Sequence, residues 1–265
     1  MALQLRHQRI RSPSAVAANA SRIAPILAVI GLCHLLWFAA VSVFGIRSIF
    51  LPGPVETYTV LTRLLFHEEF WLDVGASWLR VSVAFLLSLA VSYPLVLAAL
   101  SSDQLRRSLF VIVEFFRYLP VPIFVPLTIL WFGVADTGKV VVIFLGTFCQ
   151  MIPMFYDSAL IARRSYGAAA FSLKWRQWDE IRNIAIPGSA PQVFDSSRIC
   201  LGWAWTYLVV AELLGAPHGI GYAIIRAQRY LATDRIFAYV IVIGLMGVLT
   251  DRVLRYVRGW VFAWA

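Results

Sequence analysis

Charge is scarce in this chain. Only 23 basic and 14 acidic residues occur among 265, or 14%, where soluble domains carry about 25%. With 60% of positions drawn from AVILMFWYC and a mean hydropathy of +0.77, there is more apolar side chain than a fold of this length can hide while keeping a water-compatible surface. A soluble enzyme is thereby excluded. Glycine (16) and proline (12) are ordinary in number, which with the high hydrophobicity excludes a collagen-like fibre and disorder. The three cysteines, Cys33, Cys149 and Cys200, lack metal-ligand spacing and sit in apolar runs, so neither a disulfide framework nor a redox compartment can be read from them. The four histidines, His7, His34, His67 and His218, are too scattered to argue a metal site, and HEEFW from His67 lacks the second His of a zinc-protease helix. GVADTGKV, from Gly133 to Val140, imitates a phosphate-binding loop. It offers Val140 where Ser or Thr would reach magnesium, and it is expected in a short outer loop with no strand before it. Asn19-Ala20-Ser21 fits a glycosylation acceptor but falls in a tail that faces inward on the topology below.

What the chain has instead is long stretches without charge. Ile23–Ile46 runs for 24 residues, Val81–Ser102 for 22, Tyr118–Ala135 for 18, Val140–Tyr156 for 17 and Ile236–Thr250 for 15, while Ile199–Ile225 is broken only by Glu212. A helix needs roughly 20 apolar residues to cross the hydrocarbon layer, so the gaps predict about six spans. Helices are the consistent reading because the runs lack the alternation of barrel strands. The first run is too long for a signal-peptide core and has no cleavage site after it, so it is kept as an anchor.

The remaining charges give an orientation. With the N-terminus inside, 14 Lys and Arg fall on the inner side and 6 on the outer side, with Arg80, Arg117 and Arg198 at or within the boundaries. Both termini are therefore expected in the cytoplasm. The net charge of +9 is mostly this bias, and no nucleic-acid partner is expected. The chain divides into a basic tail (1–22), a first anchor helix (23–46), an outer connection (47–74), a core (75–258) and a short C-terminal tail (259–265). The connection carries LPGPVETYTVLTRLL and then Glu68, Glu69 and Asp73, and reads as a surface helix. Within the core, the inner loop 163–191 contains KWRQWDEIRNIAIPGSAP. There Trp175, Trp178, Ile181, Ile184 and Ala185 recur at helical spacing ahead of Pro187. A short helix that shows aromatics to the cytosol suits docking to a soluble partner.

That loop resembles the signature of permease subunits from binding-protein-dependent ABC importers, most closely the nitrate/sulfonate/taurine/bicarbonate type. Their pattern is EAA, three residues, Gly, nine residues, I-x-L-P. Counted back from Pro187, the frame puts Ile184 and Ile186 on the I and L, Ala169 and Ala170 on the two alanines, and Trp178 where such relatives often carry Trp. Ala168 replaces the Glu and Lys174 the Gly. The likeness extends from about Leu51 to Arg255 through LPGPVET, SWLRVSVAFLLSLAVSYPL, FFRYLPVPIFVPLTILWFGVADTGK and VVAELLGAPHGIGYAII. It implies an all-α membrane protein of the type I ABC importer permease fold, located in a bacterial inner membrane among its lipids. A second permease copy, two ATP-binding cassette subunits and an external substrate-binding protein are the implied partners. ATP and magnesium would sit on the ATPase subunits, with no cofactor on this chain. The solute would be a small anion, and Ala169, Ala170, Lys174, Trp175, Trp178, Ile184, Ile186 and Pro187 would form the ATPase-docking segment.

Gly at a helix-to-turn junction supplies a positive φ that Lys174 adopts only at a cost. Two arrangements stay open: the turn is rebuilt, or the subunit pairs with a better-matched permease. A degenerate partner or membrane scaffold is the competing reading, while an intramembrane enzyme lacks any nucleophile–base pair. Ionisable residues in the spans mark a pathway or a buried pair. Glu114 with Arg117, and Asp195 with Arg198, are spaced to neutralise each other on one helix face. Arg80, Asp157 and Glu212 have no local partner. Arg80 either snorkels to the interface or attracts an anion, and Glu212 is either a gate or a polar link between helices. Arg80, Arg117, Asp157 and Glu212 are the candidates for a translocation pathway.

Overall fold

The computed structural model describes residues 13–213, 215 and 217–264, with side chains from residue 24 onward except 169 and 171. His7 and the tail residues 1–12 lie outside the described residues. The described chain is a bundle of helices, because spans without water must satisfy their own backbone groups. In order these are α1 (Pro13–Ser42), α2 (Pro54–Leu64), α3 (Glu68–Ser101), α4 (Asp103–Tyr118), α5 (Phe124–Phe132), α6 (Asp136–Ser172), α7 (Gln177–Glu180), α8 (Ile186–Glu212), α9 (Ile220–Arg229) and α10 (Thr233–Val261). A 3-10 turn, Val121–Ile123, precedes α5, and a π-helical segment, Ile181–Ala185, joins α7 to α8.

Four stretches are long and apolar enough to cross a membrane: Ala24–Ser42, Glu68–Ser101, Asp136–Ala168 and Thr233–Val261. The uncharged run Tyr118–Ala135 is not the straight span that its composition suggests. Pro120, Pro122 and Pro126 lack donors and disfavour helix in the residues before them. The chain therefore breaks after Tyr118, and α4 and the 3-10/α5 unit meet at 88°, the geometry of a broken span or a re-entrant loop. The sixth run falls in α8, which has the length but carries Asp195, Arg198 and Glu212 and buries one face along its whole course. The acidic cluster Glu68, Glu69 and Asp73 opens α3 rather than extending the preceding surface helix, which is α2 alone. Likewise Asp136 to Val140 of the phosphate-loop mimic is the first turn of α6, not a loop.

Alpha-helix packing at the centre depends on small residues, as it does wherever lipid supplies no hydrophobic drive between helices. Gly146 on α6 faces Tyr207 on α8 so closely that a Cβ there would sit 2.5 Å from the ring, and Gly188 on α8 meets Ala162 on α6. Ser88 of α3 and Thr147 of α6, both fully buried, share a 2.6 Å hydrogen bond. Around this spine lie two apolar clusters, one toward α9 and α10 through Ile143, Leu208 and Ile220, the other toward α4 and the π segment through Phe155, Ile152 and Ile181. The anchor α1 stands apart, its apolar side chains exposed. It is tied to the bundle by Trp37, whose indole N–H donates to Pro52 O at 2.9 Å and whose ring stacks on Phe237.

Candidate coupling segment and buried ion network

The segment that leaves α6 turns sharply at Lys174, whose φ is +51°. The Trp175 N–H returns to Ala170 O at 3.2 Å, the six-to-one bond of a Schellman cap with Lys174 in the left-handed position usually held by Gly. The turn is thus neither lost nor rebuilt but kept, with lysine in the left-handed position. A non-Gly residue in this conformation costs about 1–2 kcal/mol. Next, the backbone N–H of Arg176 donates to Asp179 Oδ2 at 3.3 Å, which starts α7. Two contacts fasten α7 to the bundle. Arg163 of α6 grips Glu180 with two parallel bonds, 2.9 Å to Oε1 and 3.0 Å to Oε2, and Gln177 Nε2 donates 3.0 Å to Leu100 O at the end of α3. The bidentate Arg163 grip holds the Glu180 carboxyl below its ordinary 4.5.

The docking candidates separate by burial. Trp175 and Trp178 are 38% and 57% exposed, and Leu173, Tyr166, Lys174 and Pro187 are exposed as well. Ile184 and Ala170 are buried at 8% and 6%, and Ile186 is half-buried. Ile184 therefore packs inward and offers no docking surface, because the π segment turns Ile181, Ile184 and Ala185 onto the core. Ala169 belongs to α6, and its side chain lies outside the described residues. Sequence reasoning missed Arg163, Gln177 and Glu180, since nothing in the order of residues signals a clamp across 17 and 77 positions.

Arg80 and Glu212, lone charges in sequence, are partners in space. Arg80, 3% exposed, places Nη1 2.5 Å from Oε1 of the fully buried Glu212 and 2.8 Å from His218 O. Its Nε and Nη2 lie 2.9 and 2.7 Å from Asp136 Oδ1. Four of its five N–H groups are thus engaged. Arg80 is turned into the bundle, neither snorkelling nor open to an anion. Glu212 also accepts from the Ser77 hydroxyl at 2.9 Å and from Gly221 N–H at 2.9 Å. Ser77 Oγ in turn accepts from Ile220 N–H, and Asp73 Oδ1 from Gly219 N–H, both at 2.9 Å.

Three successive amides at the start of α9 are therefore held by side chains of α3 and α8, which offsets orphan donors and complements the helix dipole. Gly219 (φ +142°) and Gly221 are required here. A Cβ at either would lie within 2.7 Å of Glu212 atoms. Only the paired glycines of HGIGY signalled such a close approach in the sequence.

The other candidates behave differently. Asp195 and Arg198 pair at 2.7 Å as their spacing predicts, and Asp251 and Arg258 of α10 extend the pair into a network that also includes Arg255. Among the described residues no ion pair joins Glu114 to Arg117, and Arg117 instead lies over the Tyr118 ring at 5.7 Å. Asp157 is exposed on α6 and has no ion-pair partner among the described residues. No grouping of three or more His, Cys, Asp or Glu suited to a metal occurs among the described residues.

Residues 85–262 match the family described as binding-protein-dependent transport system inner membrane component. The chain belongs to that family. The permease is 32% identical over 209 residues to the "Probable ABC transporter permease protein" of Brucella melitensis, covering 78% of this chain and 85% of that one. It is 27% identical over 241 residues to the taurine transport system permease protein of Escherichia coli, covering 86% and 85%. Among solved structures, a bacterial ABC transporter involved in the import of the acidic polysaccharide alginate superposes with a TM-score of 0.57 at 14% identity, covering 93% of this chain and 99% of that one. That likeness supports the type I importer permease fold. The permease is a multi-pass membrane protein and a transport subunit of an ABC importer.

Proposed function

We propose that this permease forms one half of a paired membrane domain, admits a small anionic solute from an external binding protein, and is driven by separate ATPase subunits that dock on residues 173–178. Both termini then face the cytoplasm, as does the coupling segment, in keeping with the excess of Lys and Arg on that side. The observation that carries the docking reading is the two-sided character of the segment. Its inner side is bonded to α3 and α6 by Gln177 and Glu180, while Trp175 and Trp178 project from its outer side. A body so fastened transmits force on its exposed face to two spans at once as rigid motion. Aromatic side chains exposed in one copy are typical anchors of a protein–protein contact.

The relative named for taurine carries a sulfonate substrate in its name, which supports a small organic or inorganic anion here. The preserved turn at Lys174 weighs against a degenerate, non-coupling subunit. Co-purification with the ATPase tests the docking: Trp178→Ala is expected to weaken assembly roughly thirtyfold, as loss of an anchor worth about 2 kcal/mol implies. Assembly and uptake at the level of the unmodified protein would refute the assignment. Ile184→Asp is unsuitable for this purpose, because it places a charge in the core.

A further inference from the structure

We propose that the cavity at the break between α4 and α5 is a binding subsite for the anionic headgroup of a small solute, with Arg117 as its counter-charge. The proposal rests on the anion-permease reading above and adds the place where the anion is held.

The cavity has a volume of about 270 Å³ and is walled by Arg117, Tyr118, Gly146, Cys149, Gln150 and Tyr207 among others. Pockets for drug-sized ligands run to roughly 300–1,000 Å³, so this one suits a headgroup of few atoms. Its depth follows from α6. Asp136 and Arg163 are about 40 Å apart at 1.5 Å per residue, enough to bracket a hydrocarbon layer of about 30 Å, and Cys149 and Gln150 fall midway between them.

Two independent features at that depth call for a ligand. First, an arginine inside a membrane is expected to pair with a carboxylate or face a water-filled path. Arg80, Arg163 and Arg198 all hold carboxylates, whereas among the described residues none lies within reach of Arg117. Glu114, one turn back on the same helix, does not pair with it, and the guanidinium is left exposed over Tyr118. Second, the backbone from Leu119 to Ile123 is not α-helical. Irregular backbone at membrane depth is tolerated where it lines a cavity, and broken helices of this kind form solute sites in other transporters.

Gly146 completes the wall. Because it has no Cβ, the Tyr207 ring closes onto α6. Arg117, Tyr118, Gln150 and Tyr207, each with a side chain able to donate, line this one space, and the Tyr207 phenol bonds the Gln150 side chain within it. An anion with two or three oxygens, such as a sulfonate, takes charge-assisted bonds from such a set.

Calorimetric titration of the permease–ATPase assembly in nanodiscs tests this with methanesulfonate and its neutral isostere dimethyl sulfone. The unmodified assembly is expected to bind methanesulfonate and to bind the sulfone at least tenfold more weakly. Arg117→Gln should weaken methanesulfonate binding tenfold or more, Arg117→Lys should recover part of it, and Tyr207→Phe should weaken it severalfold. Equal binding of the anion by the unmodified and Arg117→Gln assemblies overturns the subsite. So does equal binding of the anion and the sulfone, or no binding of methanesulfonate by the unmodified assembly. Should Arg117→Gln fail to assemble, the Arg117→Lys and Tyr207→Phe variants carry the test, and unchanged binding in both overturns the proposal. An assembly that forms with its ATPase yet shows any of these results leaves the docking reading standing, so the two fail separately.

Discussion

Removing the Glu212 carboxylate should cost more stability than any other single truncation in the ion network. In Glu212→Ala, Ser77 and Gly221 N–H lose their acceptor and Arg80 Nη1 loses its carboxylate, keeping only His218 O, in a site with no exposure to solvent. Breaking a buried pair by deleting one member costs about 3–5 kcal/mol, because the other charge is left uncompensated. Here Arg80 keeps Asp136 on its Nε and Nη2, so the lower end, about 3 kcal/mol, is expected. At roughly 2–4 °C per kcal/mol for a chain of this size, the melting temperature of the purified permease should fall by about 6–12 °C. The double variant Arg80→Met/Glu212→Leu separates charge from packing. If the buried Arg80 charge is the cause, the double variant should melt above Glu212→Ala alone, since apolar replacement of both partners is often close to neutral. A Glu212→Ala protein that melts within 1–2 °C of the parent, or a double variant whose loss is the sum of both single losses, would refute the reasoning.

Three further outcomes follow from the same geometry. Lys174→Gly relieves the left-handed strain of about 1–2 kcal/mol and gives back part as glycine entropy, so a net gain of about 0.5–1 kcal/mol in thermal stability is expected, and a loss would contradict the cap. Gly219→Ala puts a methyl 2.5 Å from the Glu212 carboxyl carbon at a φ of +142°, and thermal unfolding should show a loss of about 1–3 kcal/mol from strain alone. Glu180 titrates below its ordinary 4.5 because Arg163 holds its charged form. The stability it contributes is therefore complete above that value and is lost as pH falls through the depressed one. Protease cleavage near Trp175–Glu180 should rise only at pH below about 4.5, and Glu180→Gln should show the higher cleavage already at neutral pH.

Much of this was legible in the order of residues. Charge-free runs fixed which segments are apolar enough for lipid, because burying an ion in hydrocarbon is costly enough to clear whole stretches of them. The spacing from Ala169 to Pro187 marked the segment proposed above for docking, and Asp195–Arg198 read as a pair since three residues on a helix bring side chains together. What the sequence could not specify is every contact made across the bundle. Arg80 and Glu212 stand 132 positions apart and looked alone, because no local periodicity encodes a meeting of α3 with α8. The pairing expected for Glu114 and Arg117 does not form, although its spacing is the same as that of Asp195 and Arg198. Ile184 belongs to the signature yet lies in the core, where a π-helical register turned it inward. Local chemistry thus determined the helices and their apolar faces, while the left-handed turn at Lys174 came to light only in the fold. Tertiary packing alone decided which charges neutralise each other, because a buried charge takes the partner that the folded backbone brings within about 4 Å, not the one nearest along the chain.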